Sequence, residues 1–222
     1  MIVRLDLEVA DRVLVGMTWF SGVSAATDNP FWGEMEMLAE TLRRAHSGRT
    51  PAEIEGLEPA RRLYHQFGVD PTRIRPSSEA LLRRVLKGES LYRINRLVDA
   101  VNWASLATLL PIGLYDLDRV SGDVLIRRGR TGERFGGIRK GEVNVEERLT
   151  LADAEGPFGS PTSDSERTSI RPETTRAAAA IFAPADFARA ELEEGLERMS
   201  RQVLRWCGGE RQGAWILGGA PP

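Results

Sequence analysis

The chain has 222 residues, 41% hydrophobic and 28% charged, and its 30 Lys and Arg against 32 Asp and Glu leave a net charge of -2. That balance removes the counterion-release drive of a strongly basic nucleic-acid binder, while leaving room for a local patch. A single cysteine, Cys207, excludes an internal disulfide and a four-cysteine metal site, and two histidines, His46 and His65, leave little for a histidine site. The sequence therefore predicts neither cofactor nor metal. No apolar run reaches the ~20 residues that cross a bilayer. The start, MIVRLDLEV, alternates polar and apolar residues instead of forming a signal peptide. Together these predict a cytoplasmic protein with no membrane partner.

In chain order, residues 2–7 alternate as a strand, and Arg12 to Phe20 reads as a second, more buried one. Asp28-Asn29-Pro30 starts a helix that runs to about Ala45. A short helix follows over Pro59–Phe67, and another opens at Ser77 or Ser78 with a hydroxyl cap. The stretch Asn95–Asp118 begins as a helix, breaks at Pro111-Ile112-Gly113 and leaves as a strand. Ser121-Gly122-Asp123 is a hairpin-type turn before the strand Val124–Ile126. Short strands are expected around Val143–Leu151, and an irregular loop over Gly156–Ser169. Ala177–Phe182 suits helix by propensity but sits between a loop and Pro184, so a strand stays open. Leu192, Leu196, Met199, Val203 and Trp206 repeat at four and three, which predicts the last helix, stopped by Gly208-Gly209. Irregular alternation of helices and strands points to a single α+β domain over 1–210, with 211–222 as a C-terminal tail.

Several polar residues stand out as candidate ligand contacts. Asn95, Asp99 and Asn102 fall at i, i+4 and i+7 on an otherwise apolar helix, so they form either a buried hydrogen-bond network or a pocket wall. Tyr115, Asp116 and Asp118 exit on the following strand, where period two puts both carboxylates on one face. The alternative for them is a solvated strand end. Asp164 and Arg167 sit in the polar loop, either as ligand contacts or as a mutual pair that orders it. The segment Arg127–Lys140 holds six basic residues against Glu133, so Arg127, Arg128, Arg130 and Arg134 are candidate phosphate contacts, with a solvated face as the plainer meaning. His46 and His65 have no partner at informative spacing. Cys207, at a helix C-terminus, lacks the electropositive setting of an activated thiol.

Five ordered segments carry a resemblance: Arg75-Pro76-Ser77-Ser78-Glu79-Ala80-Leu81, Asn95-Arg96-Leu97-Val98-Asp99-Ala100-Val101-Asn102, Pro111-Ile112-Gly113-Leu114-Tyr115-Asp116-Leu117-Asp118, Ser121-Gly122-Asp123, and Gly132-Glu133-Arg134-Phe135. They resemble the tRNA-editing domain of the bacterial phenylalanyl-tRNA synthetase beta chain. Asp164-Ser165-Glu166-Arg167-Thr168 is similar to a late motif of its stand-alone forms. The resemblance covers roughly residues 70–185. It implies a layered β/β/α domain that binds the aminoacyl end of a tRNA, or an amino-acid-like ligand, and hydrolyses misacylated tRNA. A scaffold that binds without reacting is the alternative. Gly113 stands where the synthetase has a histidine, Val101 where it has a threonine, and Ala177–Ala180 where it has the glutamate that reads a tyrosine hydroxyl. If an ester is attacked here, backbone N–H groups near Gly136-Gly137 are the expected oxyanion donors.

Overall fold

The computed structural model describes residues 2–219. Strand β1 (Val3–Leu5) leads into a one-turn helix α1 (Leu7–Ala10), whose first turn is capped by the Asp6 carboxylate accepting the Glu8 N–H. The apolar run VLVGMTWF then forms the long buried strand β2 (Val13–Ser21). Helices α2 (Trp32–Ala45), α3 (Glu58–Gln66), α4 (Ser77–Leu86) and α5 (Arg96–Thr108) follow, and β3 (Ile112–Asp116) leaves the last of them. Five short strands come next: β4 (Val124–Arg128), β5 (Arg134–Gly136), β6 (Glu142–Asn144), β7 (Leu149–Asp153) and β8 (Gly156–Gly159). The chain closes with β9 (Arg176–Pro184), α6 (Arg189–Cys207) and β10 (Glu210–Gly218).

These elements stack as sheet, sheet and helices, the α+β layering expected from the sequence. The central sheet is antiparallel with order β10-β2-β9-β3. One of its faces, through Leu14, Leu114, Ala179 and Ile181, packs on α5 and α6 by way of Leu97, Ala104, Leu196 and Met199. The other face, through Val15, Met17 and Phe182, packs on Ile126, Leu151 and Phe158 of the second sheet, ordered β1-β4-β7-β8. Sandwiching on both faces explains the alanine run. Ala177–Ala180 lies in the central strand, where small side chains let both layers approach, and tertiary context overrides alanine's helix preference.

Three further expectations are corrected. Of the tail expected over 211–222, residues 211–218 belong to strand β10, paired along nearly the whole of β2, and residues 220–222 lie outside the described residues. Its alternation is what holds it: Ala214 and Ile216 pack toward the helices, Leu217 toward the second sheet, and Trp215 stacks on Trp19 with ring centroids 3.4 Å apart. Helix α4 has no hydroxyl cap; Pro76 occupies the N-cap position, and the buried Glu79 carboxylate is instead met by Arg61 through two 2.8 Å bonds. Finally, the loop after β7 carries the short strand β8. Among the described residues, no helix is long and apolar enough to cross a membrane.

Strand β3 is an edge, and its free side is where the site forms. The segment 164–168 covers that side: the Asp116 N–H donates to the Thr168 carbonyl at 2.8 Å, and the Leu114 N–H to the Asp164 Oδ2 at 3.3 Å. Covering an edge in this way satisfies backbone groups that would otherwise invite another strand.

Candidate functional site

The polar stripe of α5 divides between the two roles that its sequence allowed. Asn95 is the N-cap, extended at φ -162°, and its side chain accepts the Val98 N–H at 2.9 Å. The Asp99 carboxylate accepts the Ile94 N–H at 3.0 Å and the Asn29 amide at 3.1 Å. Burial lifts this carboxyl above its usual range, against the pull of those two bonds. Asn95 thus closes the first turn of α5 itself, and Asp99 fastens that turn to Asn29 in the loop before α2. Asn102, nearly a turn further on, lines a cleft of about 330 Å³ between α5, β3 and the covering loops. That size lies within the range of small-ligand sites.

The cleft wall is aliphatic: Val98 and Val101 from α5, Ile112 and Leu114 from β3, and Ile170. Two of the chain's few exposed large apolar residues, Ile94 at 41% and Ile138 at 38%, form its lips. Arg139 and Glu166, both exposed, stand at the rim, and Asp164 supplies an acid from the wall.

Asp164 is only half-buried as a residue, yet its Oδ1 is sealed from solvent and has no aligned hydrogen-bond partner. The Tyr115 hydroxyl, itself buried and without an aligned partner, adjoins the Asp164 carboxyl. The two meet over Gly113, where an added Cβ would lie 2.0 Å from the hydroxyl and 3.2 Å from Oδ1. Gly159 closes the other side of the same ring, with its virtual Cβ 2.4 Å from the hydroxyl. Two glycines from facing sheets therefore form a slot for one phenol, and Phe158 packs edge-on against it at 5.0 Å. Desolvation raises the Asp164 carboxyl to about 7, partly offset by the Leu114 N–H, the Tyr115 hydroxyl and the charge of Lys140. Burial, then the adjoining Asp164 charge, raises the tyrosine well above its ordinary value. The Lys140 ammonium itself is turned to the Ser163 hydroxyl at 3.4 Å.

Of the other candidate residues, most are engaged within the fold. The two carboxylates after Tyr115 do not share a face. Strand β3 stops at Asp116, which caps the 3-10 turn Leu117–Arg119 by accepting the Asp118 N–H, and so the period of two is lost. Asp116 is buried against the Thr174 hydroxyl at 2.6 Å, whereas Asp118 is exposed and pairs with Arg176 at 2.7 Å. Arg167 does not pair with Asp164. It grips Asp153 with two 2.9 Å bonds and also donates to the Arg119 carbonyl. Gly137 N–H is taken by the Gly141 carbonyl, which removes it as an oxyanion donor.

Three of the six basic residues in the run are likewise paired with acids. Arg127 is buried and bidentate on Glu133, Arg128 meets Glu147 and Glu8, and Arg134 meets Glu142. The acids beyond residue 140 return opposite the arginines through the β5–β6 hairpin, so a window ending at Lys140 overstates the charge. Arg130 stays exposed, beside a shallow groove. Cys207 is a buried thiol pushed by desolvation to about 12, unsuited to nucleophilic work. The aliphatic wall went unread as a site because Val98 and Val101 look like ordinary core positions; their i, i+3 spacing beside Asn102 was the available signal.

A layered α+β domain with an apolar cleft at a covered sheet edge is the class that this geometry defines. The B3/4 domain model matches residues 59–205, and the chain belongs to that family. It is similar to the phenylalanine–tRNA ligase beta subunit of Bartonella quintana (strain Toulouse), at 25% identity over 84% of this chain and 28% of that protein. The corresponding subunit of Symbiobacterium thermophilum is 37% identical over 34% of this chain and 9% of its own length. A solved N-terminal fragment of the phenylalanyl-tRNA synthetase beta subunit from Pyrococcus horikoshii aligns with 97% of this chain and 50% of itself, at 14% identity and a TM-score of 0.46. The chain thus spans about a quarter of the length of the first of these curated relatives, 28%.

Proposed function

We propose that this chain is an editing-like domain that binds the aminoacyl end of a tRNA, or a free amino-acid-like ligand, in the cleft between α5 and β3. Hydrolysis of a misacylated end is the reaction that such binding would serve. The observation that carries the reading is the cleft itself: about 330 Å³, aliphatic, with Asn102 and Asp164 as its polar wall, in a chain of the B3/4 family. An amide and a carboxyl converging on an apolar hollow suit the amino and carbonyl groups of an amino acid. Of the arginines read as phosphate contacts, Arg130 and Arg134 keep exposed side chains, and Arg139 at the rim joins them.

A binding module without hydrolysis is the second reading, and one observation favours it. The cleft-lining residues include neither histidine nor cysteine, and the Ser169 hydroxyl donates to the Glu166 carbonyl. Among the described lining residues there is thus no serine, cysteine or histidine pair set as nucleophile and base, and any activation of water would fall to the Asp164 carboxyl. A panel of correctly and wrongly charged tRNAs, followed for ester loss with wild type and Asn102→Ala, separates the two. Deacylation of at least one charged tRNA, lost in Asn102→Ala, establishes the hydrolase. Binding that needs the amino acid, without ester loss, establishes the module. Indifference to every charged tRNA and every free amino acid sinks both.

A further inference from the structure

Among the acids of the described residues, Asp164 alone has a sealed side-chain oxygen with no aligned donor. Glu79 is held by Arg61, Asp153 by Arg167 and Glu133 by Arg127. Asp116 receives a hydroxyl and an N–H, and Asp99 an amide and an N–H. Asp164 receives the Leu114 N–H on Oδ2, and the Tyr115 hydroxyl lies beside Oδ1 without full alignment. No cation lies within ion-pair distance of it among the described residues, and it opens on a cleft. A carboxylate desolvated to this degree is stabilised most by a cation delivered into the same space.

Resting on the function proposed above, we infer that Asp164, positioned by Tyr115, receives the ammonium of an α-aminoacyl group whose side chain is aliphatic. An ammonium brings the donors and the positive charge that the carboxylate lacks. The side chain then meets Val98, Val101, Ile112 and Ile170, with Ile94 and Ile138 closing over it. Among the described residues, no aromatic ring lines this wall. Its one side-chain hydroxyl, Ser169, is already committed to a backbone carbonyl, so a phenol would arrive with little to bond. The charged and titratable groups around the carboxyl are Tyr115 behind it, Lys140 beside it, and Glu166 and Arg139 at the rim. Glu166 is exposed and water-solvated, which makes it the weaker ammonium acceptor. Arg139, held at φ 51° at the rim and outside any ion pair among the described residues, is the cation available to a phosphate of the ligand.

The test uses three amide-linked adenosine conjugates that cannot be hydrolysed: leucyl, its deaminated 4-methylpentanoyl counterpart, and tyrosyl. Calorimetry on the whole chain at pH 7 should show the leucyl conjugate binding at least tenfold tighter than the deaminated one, and severalfold tighter than tyrosyl. Between pH 6 and 7 leucyl affinity should climb severalfold as the carboxyl ionises. Asp164→Asn should erase both the amine preference and that pH dependence, while Glu147→Gln, an exposed acid away from the cleft, keeps both. Circular dichroism checks that each variant is folded. Equal binding of the leucyl and deaminated conjugates, or an amine preference that survives Asp164→Asn, overturns the assignment of Asp164 and leaves the aminoacyl-binding reading standing. Tighter binding of tyrosyl overturns the aliphatic assignment. If none of the conjugates binds, the inference and the reading beneath it fall together.

Discussion

Asp153 and Asp164 are carboxyls of the same covered layer, and they end in opposite states. Asp153 has no exposed side-chain surface, yet it is surrounded by donors: both Arg167 nitrogens at 2.9 Å, the Ser121 N–H at 2.8 Å and the Glu155 N–H at 3.0 Å. Asp164 has one 3.3 Å backbone bond and, at Oδ1, only the poorly aligned Tyr115 hydroxyl, and desolvation raises it to about 7. The difference separates fastening from reception. A charge neutralised inside the fold ties loops together, and losing its partner costs stability. A charge left without a cation at the wall of a cleft favours whatever ligand supplies one. The same contrast sorts the arginines: Arg127 and Arg167 are spent on buried acids, whereas Arg139 at the rim has no ion-pair partner among the described residues.

The contrast can be attacked from its strong side first. Arg167→Ala strands the buried Asp153 carboxylate, and we expect a loss of about 3 kcal/mol in urea unfolding. A loss below ~1 kcal/mol would reduce that pair to a bystander. Gly113→Ala drives a methyl into the Tyr115 hydroxyl, 2.0 Å away, and should cost about 2 kcal/mol by overpacking. It should also weaken ligand binding through the displaced Asp164.

Asp164→Asn runs the other way. Because the folded chain raises this carboxyl to about 7, the protonated form favours folding. That contribution is complete below the unfolded value of ~4 and is lost as pH rises through 7. Asparagine does not ionise, so at pH 8 the variant should be more stable than wild type by on the order of 1–2 kcal/mol. The gap should close toward pH 4, and melting curves across that range decide it. Arg134→Ala, removing an exposed pair with Glu142, should change stability by less than about 0.5 kcal/mol. A larger effect would put the basic hairpin among the fasteners.

Much of the architecture could be read in advance, because hydrophobic period and stop signals are local. The terminal helix and β2 announce themselves in single windows of sequence. What could not be read depends on partners that lie far along the chain. Asp99 looked equivalent to Asn102 until Asn29, 70 residues earlier, was seen to claim it. Arg127–Lys140 looked like a phosphate contact because Glu142 and Glu147 lie just outside the run. The solitude of Asp164 was invisible for a related reason: its nearest arginine in sequence is drawn away to Asp153. Glycines after residue 207 suggested a loose end, and only the full-length pairing with β2 shows why that end is a strand.

The phenol slot has a consequence for how this chain can vary. The Tyr115 ring tip is held between Gly113 on one sheet and Gly159 on the other, so the three positions form one epistatic unit. Any side chain restored at 113 meets the hydroxyl unless 115 is shortened first, and a shortened 115 leaves a void that 159 can then fill. The accessible route between this site and one bearing a larger residue at 113 therefore passes through 115, and substitutions made in the reverse order should be purged before they can be tested for function.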